Sequence, residues 1–596
     1  MIAQQQSAQW VEIGSTDDLK DGRLVKRLGD RQVVVIESGG RLYALDNRCP
    51  HEGYPLAVGR VNDEACTLTC EWHNWKFALE DGSARFGEEG ARAYPLRVDG
   101  GRILIDLTPP PVEDQMAERL ASLREGLVNF ETGRIAREAA RLLDLGMLPA
   151  EVMRQGALHN AEREEYGWGH ALAVIADCTS LAEFYPDEAT VPTVRALFAS
   201  ADPVRRYAPR PTPASQPPTD PAGEREFRRR IETEDVDGAE ALLAGVIESG
   251  APTAEVARWL THAATDHFLG FGHQMIYVHK LSQFAARVGW EPLMPLIPSL
   301  VPSIAWATRY DKLPEMRGYI AQLSDAESSF PALLAKQAAV AAGARWDSGR
   351  FRHRVLFGKH ADAFEAVHAA LGAGVALDDV ARELVLAAAE RMLRFDTAWE
   401  TSHDEAVWDD GGWLEVTHLL THANATRSLL AQGATPEVLR SLYHSAWFIN
   451  DQKRFDRADG ARADEAPLPL LEVAPEDVGP SLRESITVHD EPAALAHVRQ
   501  WRRTELDRGP LYEALGREAV EADDGRFIIQ AHVLKTCHAA IEESRLLNGH
   551  AEADLPLLAA VRFAATPRKQ LAVYDQALNA ARGTAPRPPR PARIDG

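Results

Sequence analysis

Between residues 9 and 107 the hydrophobic positions come in short bursts. RQVVVIES, GRLYALD, CTLTCEWH and GRILIDL are rich in Val, Ile, Leu and Tyr, with Gly, Asn and Asp between them. Runs of this length bounded by turn residues predict a small all-β domain. After TPPPVEDQ (108–115) the pattern changes: MAERLASLREGLVNF and DDVARELVLAAAERMLRF carry apolar residues at helical spacing in a background of Ala, Leu, Glu and Arg. The expected fold class is a small all-β domain followed by a large all-α, His-rich domain. The expected order is a β domain (1–107), a linker (108–113), a helical segment (114–205) and a Pro-rich connector (206–223). A helical domain (224–455), an acidic Pro-rich connector (456–480), a helical segment (481–583) and a disordered tail (584–596) complete it.

Charge and composition narrow the function. A net charge of −23 argues against nucleic acid or an anionic membrane surface as partner. No run of eighteen apolar residues exists and the N-terminus lacks a signal-peptide pattern, so a cytoplasmic chain with no membrane partner is expected. Five Cys do not suggest a disulfide scaffold. Cys66, Cys178 and Cys537 read as buried or idle thiols. The other two stand in CPHEGYPLAVGRVNDEACTLTCEWHNWKF (49–77), as Cys49-Pro-His51 and Cys70-Glu-Trp-His73.

Two Cys and two His could hold zinc or an iron–sulfur cluster. Zinc sites usually pair like with like, whereas both pairs here are mixed. CPHEGYPL with the later Gly59, and CEWHNWKF followed by DGS, resemble the two cluster loops of the Rieske family over about residues 9–107. The resemblance implies a 2Fe–2S cluster, with Cys49 and Cys70 on one iron and His51 and His73 on the other. Asn74 stands after His73 where Gly is usual. The extra Cys pair of high-potential respiratory members is absent from these loops, so the soluble ferredoxin or oxygenase type is implied. Such a domain carries one electron at a time.

Among the 20 His, positions carry the argument. LHNAEREEYGWGHA (158–171) and THAATDHFLGFGHQ (261–274) each place two His eleven residues apart, His159 with His170 and His262 with His273, around Gly-aromatic-Gly. Eleven residues return to within about 20° of the starting direction, so each pair shares a helical face if the glycines leave the helix intact. EVTHLLTHANATR carries His418 and His422 at i, i+4, with Glu415 on the same stripe. IIQAHVLKTCHAAIEES carries His532 and His538, with Glu542 four residues later. LHNA, THAA, THAN and CHAA look like one repeated element. Inward-facing His and carboxylates from several helices are how bundles build metal sites. These eight His are therefore candidate ligands of a second, non-heme iron site, mono- or dinuclear; packing of duplicated helices and a metal-free acid–base role are the alternatives. His267 and His279 are weaker candidates.

GHALAVIADC, GFGHQMIYVHKL, LTHANATR and AHVLKTCHAA look like questin oxidase-like proteins, a resemblance that implies oxygen chemistry. A ring-hydroxylating oxygenase is disfavoured, because no Asp or Asn stands three before His267 and the surroundings are Ala-rich helices. The expected function is an iron-dependent oxygenase or oxidase in which the cluster feeds electrons to the His-rich iron. It would act with O2 on a small, aromatic or otherwise apolar molecule, with Trp168, Phe271, Tyr277 and Trp447 as pocket candidates. No Gly-x-Gly-x-x-Gly follows a strand, so an NAD(P)H-dependent reductase or a ferredoxin is expected as separate donor. The alternative is a Rieske redox switch with a helical binding domain and no second metal.

Overall fold

The computed structural model describes residues 9–29, 31–211, 213–216, 223–337, 346–401, 412–502, 508–522, 526–567 and 573–582. The expected tail at 584–596 and part of the 206–223 connector lie outside the described residues. The chain divides into two compact units: residues 1–148 with 572–596, and residues 149–571. The fold class is a β-rich N-terminal domain followed by a large helical region, as the hydrophobic periods predict.

Among the described residues of the first unit, eleven short strands form three antiparallel sheets. β1 (Trp10–Ser15), β11 (Arg102–Asp106) and β10 (Leu96–Asp99) make one, in that order; β2 (Arg23–Leu28), β3 (Arg31–Ser38), β4 (Arg41–Asp46) and β9 (Ala93–Tyr94) make the second. β5 (Arg60–Asn62), β6 (Thr67–Thr69), β7 (Lys76–Ala78) and β8 (Ala84–Phe86) make the third. Side chains alternate faces along a strand, so β3 feeds two cores. Val34 and Ile36 pack with Cys49, Cys70, Leu68 and Phe77 beneath the cluster loops, while Val33 and Val35 pack with Ile13, Ile103 and Ile105.

Helices Val112–Asn129, Thr132–Asp144 and Val573–Arg582 belong to this same unit. Val573–Arg582 packs on Thr132–Asp144 and buries Tyr574, Ala577, Leu578 and Ala581. Arg137 and Arg141 of the middle helix clamp Glu89 in the loop after β8, each at 2.5 Å. Burial alone would raise the Glu89 carboxyl, but the two guanidiniums outweigh it and hold the group below its ordinary range.

The second unit is helical throughout its described residues. Helices His170–Leu181, His273–Val288, Trp413–Gln432 and Phe527–Leu546 pack against one another and carry mostly buried residues. No helix among the described residues is long and apolar enough to cross a membrane.

The condition for His159/His170 and His262/His273 to share a helical face, glycines that leave the helix intact, is not met. The first helices end at Ala161 and Thr265, and new helices begin at His170 and His273. The glycines are the cause. Gly270, Phe271 and Gly272 are consecutive left-handed residues (φ 43°, 56° and 83°), and Gly167 has φ 85°. Such a run cannot continue a right-handed helix. Both Gly-aromatic-Gly-His motifs are therefore helix starts, each setting His at the first helical residue.

Candidate metal centres

The cluster ligands sit on two loops, β4 to β5 and β6 to β7. Backbone bonds tie each loop to itself: Cys49 N–H donates to the Tyr54 carbonyl (2.9 Å) and Cys70 N–H to the Trp75 carbonyl (2.8 Å). Asn74, standing where Gly is usual, has φ 59°, a conformation that Asn tolerates better than most side chains. Both Cys are buried, His51 is half-buried and His73 is exposed. The Nδ1 atoms of His51 and His73 are 3.0 Å apart. Trp75 stacks on His51, and the half-exposed Trp72 stacks on His73. The four donors do not form one group within 4.8 Å, so a single zinc ion does not fit them. Two separate pairs, Cys inside and His outside, suit a two-iron cluster. Burial pushes the Cys49 thiol up to about 12, with Cys70 nearby adding to the rise. Such a thiol ionises at neutral pH when a metal displaces its proton. Cys49, Cys70, His51 and His73 would hold the cluster, which supplies one-electron transfer.

The second centre lies in the helical unit. His170, His273, His418 and His532 place one ring nitrogen each within 4.8 Å of one another, the sole group of three or more such donors among the described residues. The converging atoms are Nε2: His170 to His273 is 3.0 Å, His273 to His418 is 2.8 Å, and His418 to His532 is 3.0 Å. Three of the Nδ1 atoms are occupied on the far side, while His418 Nδ1 is buried with no bond among the described residues. His273 Nδ1–H donates to the Gly270 carbonyl (2.5 Å), and His532 Nδ1–H donates to the Ile528 carbonyl (2.7 Å). His170 Nδ1 meets Tyr277 Oη at 3.0 Å.

Carbonyls only accept, so the protons of His273 and His532 are on Nδ1 and both Nε2 atoms present bare lone pairs. His418 Nε2 touches both and can aim one proton at one of them. A cation among the four satisfies every contact, and carbonyl-held Nδ1–H groups are the usual second layer of such ligands. Burial pushes all four imidazoles well below their ordinary value, and the Lys535 charge acts in the same direction. They are therefore neutral, as ligands must be. His418 and His532 are buried, and His170 and His273 are half-buried as whole residues.

One His of each predicted pair enters the group; the other four do different things. His159 is buried with no bond at Nε2 among the described residues, and burial foremost pushes it down to about 4. His262 Nδ1 meets Glu224 (2.6 Å) and its Nε2 meets Thr435 (3.1 Å). His422 Nδ1 meets Ser445 (2.8 Å) and packs under Gly272. A Cβ on Gly272 would stand 2.3 Å from His422 Cδ2, at φ 83°. Gly272→Ala should therefore cost about 2 kcal/mol or more, visible as a lowered midpoint of helix loss by circular dichroism. Glu415 is taken by Gln452 and Arg454 rather than by His418. His267 pairs with Glu232 and Asp311 at the edge of a 460 Å³ cavity whose lining includes none of the four grouped His. His279 is buried 3.8 Å from Glu542.

His538 belongs to a second buried layer one to two turns behind the group. Asp177, seven residues after His170, accepts from Lys280 Nζ (2.7 Å) and His538 Nδ1 (2.6 Å); Lys280 is seven residues after His273. Lys535, three residues after His532, reaches His532 Nε2 (3.3 Å) and His418 Nε2 (3.4 Å). Burial lowers its ammonium to about 7, against the pull of Asp177. Asp177→Asn leaves Lys280 and His538 without their shared charge, and a loss of about 3 kcal/mol is expected. Urea titration of the full chain followed at 222 nm checks it.

Sequence reading did not single out Asp177, Lys280 or Lys535, although their i+3 and i+7 spacing from His is visible. Of the pocket candidates, Tyr277 holds His170 and Phe271 lies 5.9 Å from the His418 ring. Trp168 is fully buried, and Trp447 packs on Phe268 and His360.

Among known protein families, residues 9–94 of the first unit fit the model of the Rieske [2Fe-2S] domain. By that match, and by the relatives below, the chain belongs to the Rieske family through this unit, an electron-transfer domain. The ferredoxin component of the alkene monooxygenase system of Xanthobacter autotrophicus is 33% identical over 115 residues, covering 19% of this chain and 93% of that protein. The 3-phenylpropionate/cinnamic acid dioxygenase ferredoxin subunit of Escherichia coli K12 is 30% identical over 92 residues, covering 15% and 86%. Among solved structures, the ferredoxin of carbazole 1,9a-dioxygenase from Nocardioides aromaticivorans covers 16% of this chain and 95% of its own, at 28% identity and a TM-score of 0.16. The family match ends at residue 94, and the helical unit has no family assignment.

Proposed function

We propose that the chain is an iron-dependent oxygenase or oxidase in which the Rieske cluster supplies electrons to iron held by His170, His273, His418 and His532. The observation that carries this reading is the convergence of four imidazole Nε2 atoms, at least two of them bare lone pairs, in a chain that also bears a one-electron carrier. Zinc, which has no redox chemistry, would have no use for those electrons, whereas imidazole donors suit iron equally well. Four donors within 4.8 Å leave room for one ion. Iron bound there would supply dioxygen activation.

The chain's own residues do the rest. The Gly270 and Ile528 carbonyls hold the protons of His273 and His532 away from the metal side, and Tyr277 orients His170. Phe271 and Tyr310, with ring centroids 4.5 Å apart, bring aromatic surface beside His418, which suits a small neutral, apolar substrate. Inserting one oxygen atom and reducing the other to water takes two electrons and two protons. A one-electron cluster delivers the electrons singly, from a separate NAD(P)H-dependent reductase or ferredoxin. Two relatives bear the names of ferredoxin parts of oxygenase systems, which supports this reading, as do the strings resembling questin oxidase-like proteins.

Metal and sulfide content of anaerobically purified protein tests it, for wild type and for a Cys49→Ala, Cys70→Ala double variant. The variant should lose all acid-labile sulfide and keep iron in the helical unit. If iron and sulfide vanish together, the chain is an electron carrier or redox switch.

A further inference from the structure

We propose that Lys535 is a fifth nitrogen ligand of the metal held by the four His. The inference rests on the metal reading above and adds a residue to that site. Lys535 is fully buried on the helix that carries His532. Its Nζ stands 3.3 Å from His532 Nε2 and 3.4 Å from His418 Nε2, which are themselves 3.0 Å apart. The amine thus closes a triangle with two of the converging imidazole nitrogens. Nitrogens bound to one ion at about 2.1 Å lie about 3.0 Å apart at right angles and about 3.6 Å apart at 120°, and the Nε2 and Nζ separations fall in or near that span.

The contrast with Lys280 sharpens the assignment. Lys280 is equally buried, but it has the Asp177 carboxylate at 2.7 Å and Gln283 Oε1 at 2.8 Å, an ordinary interior ion pair. Asp177 is thereby taken by Lys280 and His538, and no carboxylate among the described residues forms an ion pair with Lys535. A buried ammonium without a counter-ion is costly, and beside a bound dication it would be repelled as well. A neutral amine in the same place has one lone pair and stands among four others that have the same use. Coordination forms one nitrogen–metal bond, gives the ammonium proton to solvent and changes no oxidation state.

The test uses the full chain with its cluster in place. Zinc affinity is measured by chelator competition for wild type, Lys535→Met and Lys535→Gln, with helix content checked by circular dichroism. Separately, wild type labelled with 15N-lysine is loaded with copper(II) and examined by pulsed electron–nuclear double resonance, which needs no variant to fold. The expected results are zinc binding at least tenfold weaker in both variants and a directly bonded 15N coupling in wild type. Unchanged or tighter zinc binding in the variants, or no such coupling, overturns the assignment. Wild type whose zinc content matches that of His418→Ala overturns the four-histidine reading itself.

Discussion

His418→Ala should abolish metal binding at the proposed four-histidine centre and leave the iron–sulfur cluster unchanged. His418 is the pivotal donor, because its Nε2 takes part in two of the three short Nε2 contacts. Removing it leaves His170 and His273 on one side and His532 on the other, so metal affinity should fall by about 100-fold or more, beyond the loss seen when only an outer-layer partner is removed. Acid-labile sulfide, which reports the cluster alone, should not change. The control is His422→Ala, one turn further along the same helix, where the imidazole bonds Ser445 and is outside the group. Elemental analysis after dialysis against a chelator reads both. Equal metal content in the two variants would sink the four-histidine centre.

The second large effect is acid lability of the helical unit. Burial pushes His422 and His444 down to about 3 and His159 to about 4, from an ordinary 6.5. These groups stay neutral in the folded chain and become protonated in the unfolded one, so proton uptake favours unfolding. Their folded-state values are depressed, and stability is therefore lost as pH falls from 6.5 towards 4. Each such His removes about 1.4 kcal/mol per pH unit in that window, about 4 kcal/mol per unit for the three together. Urea midpoints at pH 7.5, 6.0 and 5.0 should fall only below 6.5, and His444→Phe should flatten the slope by about 1.4 kcal/mol per pH unit. A midpoint that does not move between pH 6.5 and 5.0 would contradict the burial of these imidazoles in neutral form.

The candidate cluster ligands were legible in the sequence because their spacing is local. Each Cys–His pair lies within four residues, on a loop between strands whose turns are written in Gly, Asn and Pro. The helical centre has no such locality. Its donors come from four helices between residues 170 and 532, and nothing in one helix says which imidazole its neighbours will face. The repeated strings misdirect in an instructive way. LHNA, THAA, THAN and CHAA contain His159, His262, His422 and His538, all outside the group. Their small residues are what helices need for close approach, so the repeat marks packing, and the donor of each pair stands four to eleven residues away. The Gly-aromatic-Gly motif was visible, but its meaning depended on backbone angles: read as a tolerated interruption it gives one helix, and with three left-handed residues in a row it gives a fresh start. The helices that complete the first unit were visible as helices, but their periodicity could not assign them to the β domain.

That assignment has a consequence for how the molecule comes into being. The second unit, 149–571, is inserted between two pieces of the first, and Val573–Arg582 adds its apolar face only after the whole insertion has been made. On the ribosome, the electron carrier is therefore begun before the helical insertion and finished after it. Closing so long a loop as a free coil carries an entropic cost that grows with its length; an insertion that has already folded brings its two ends to fixed positions and removes most of that cost. Folding of the helical insertion should thus precede, and assist, the final closure of the β unit around its cluster.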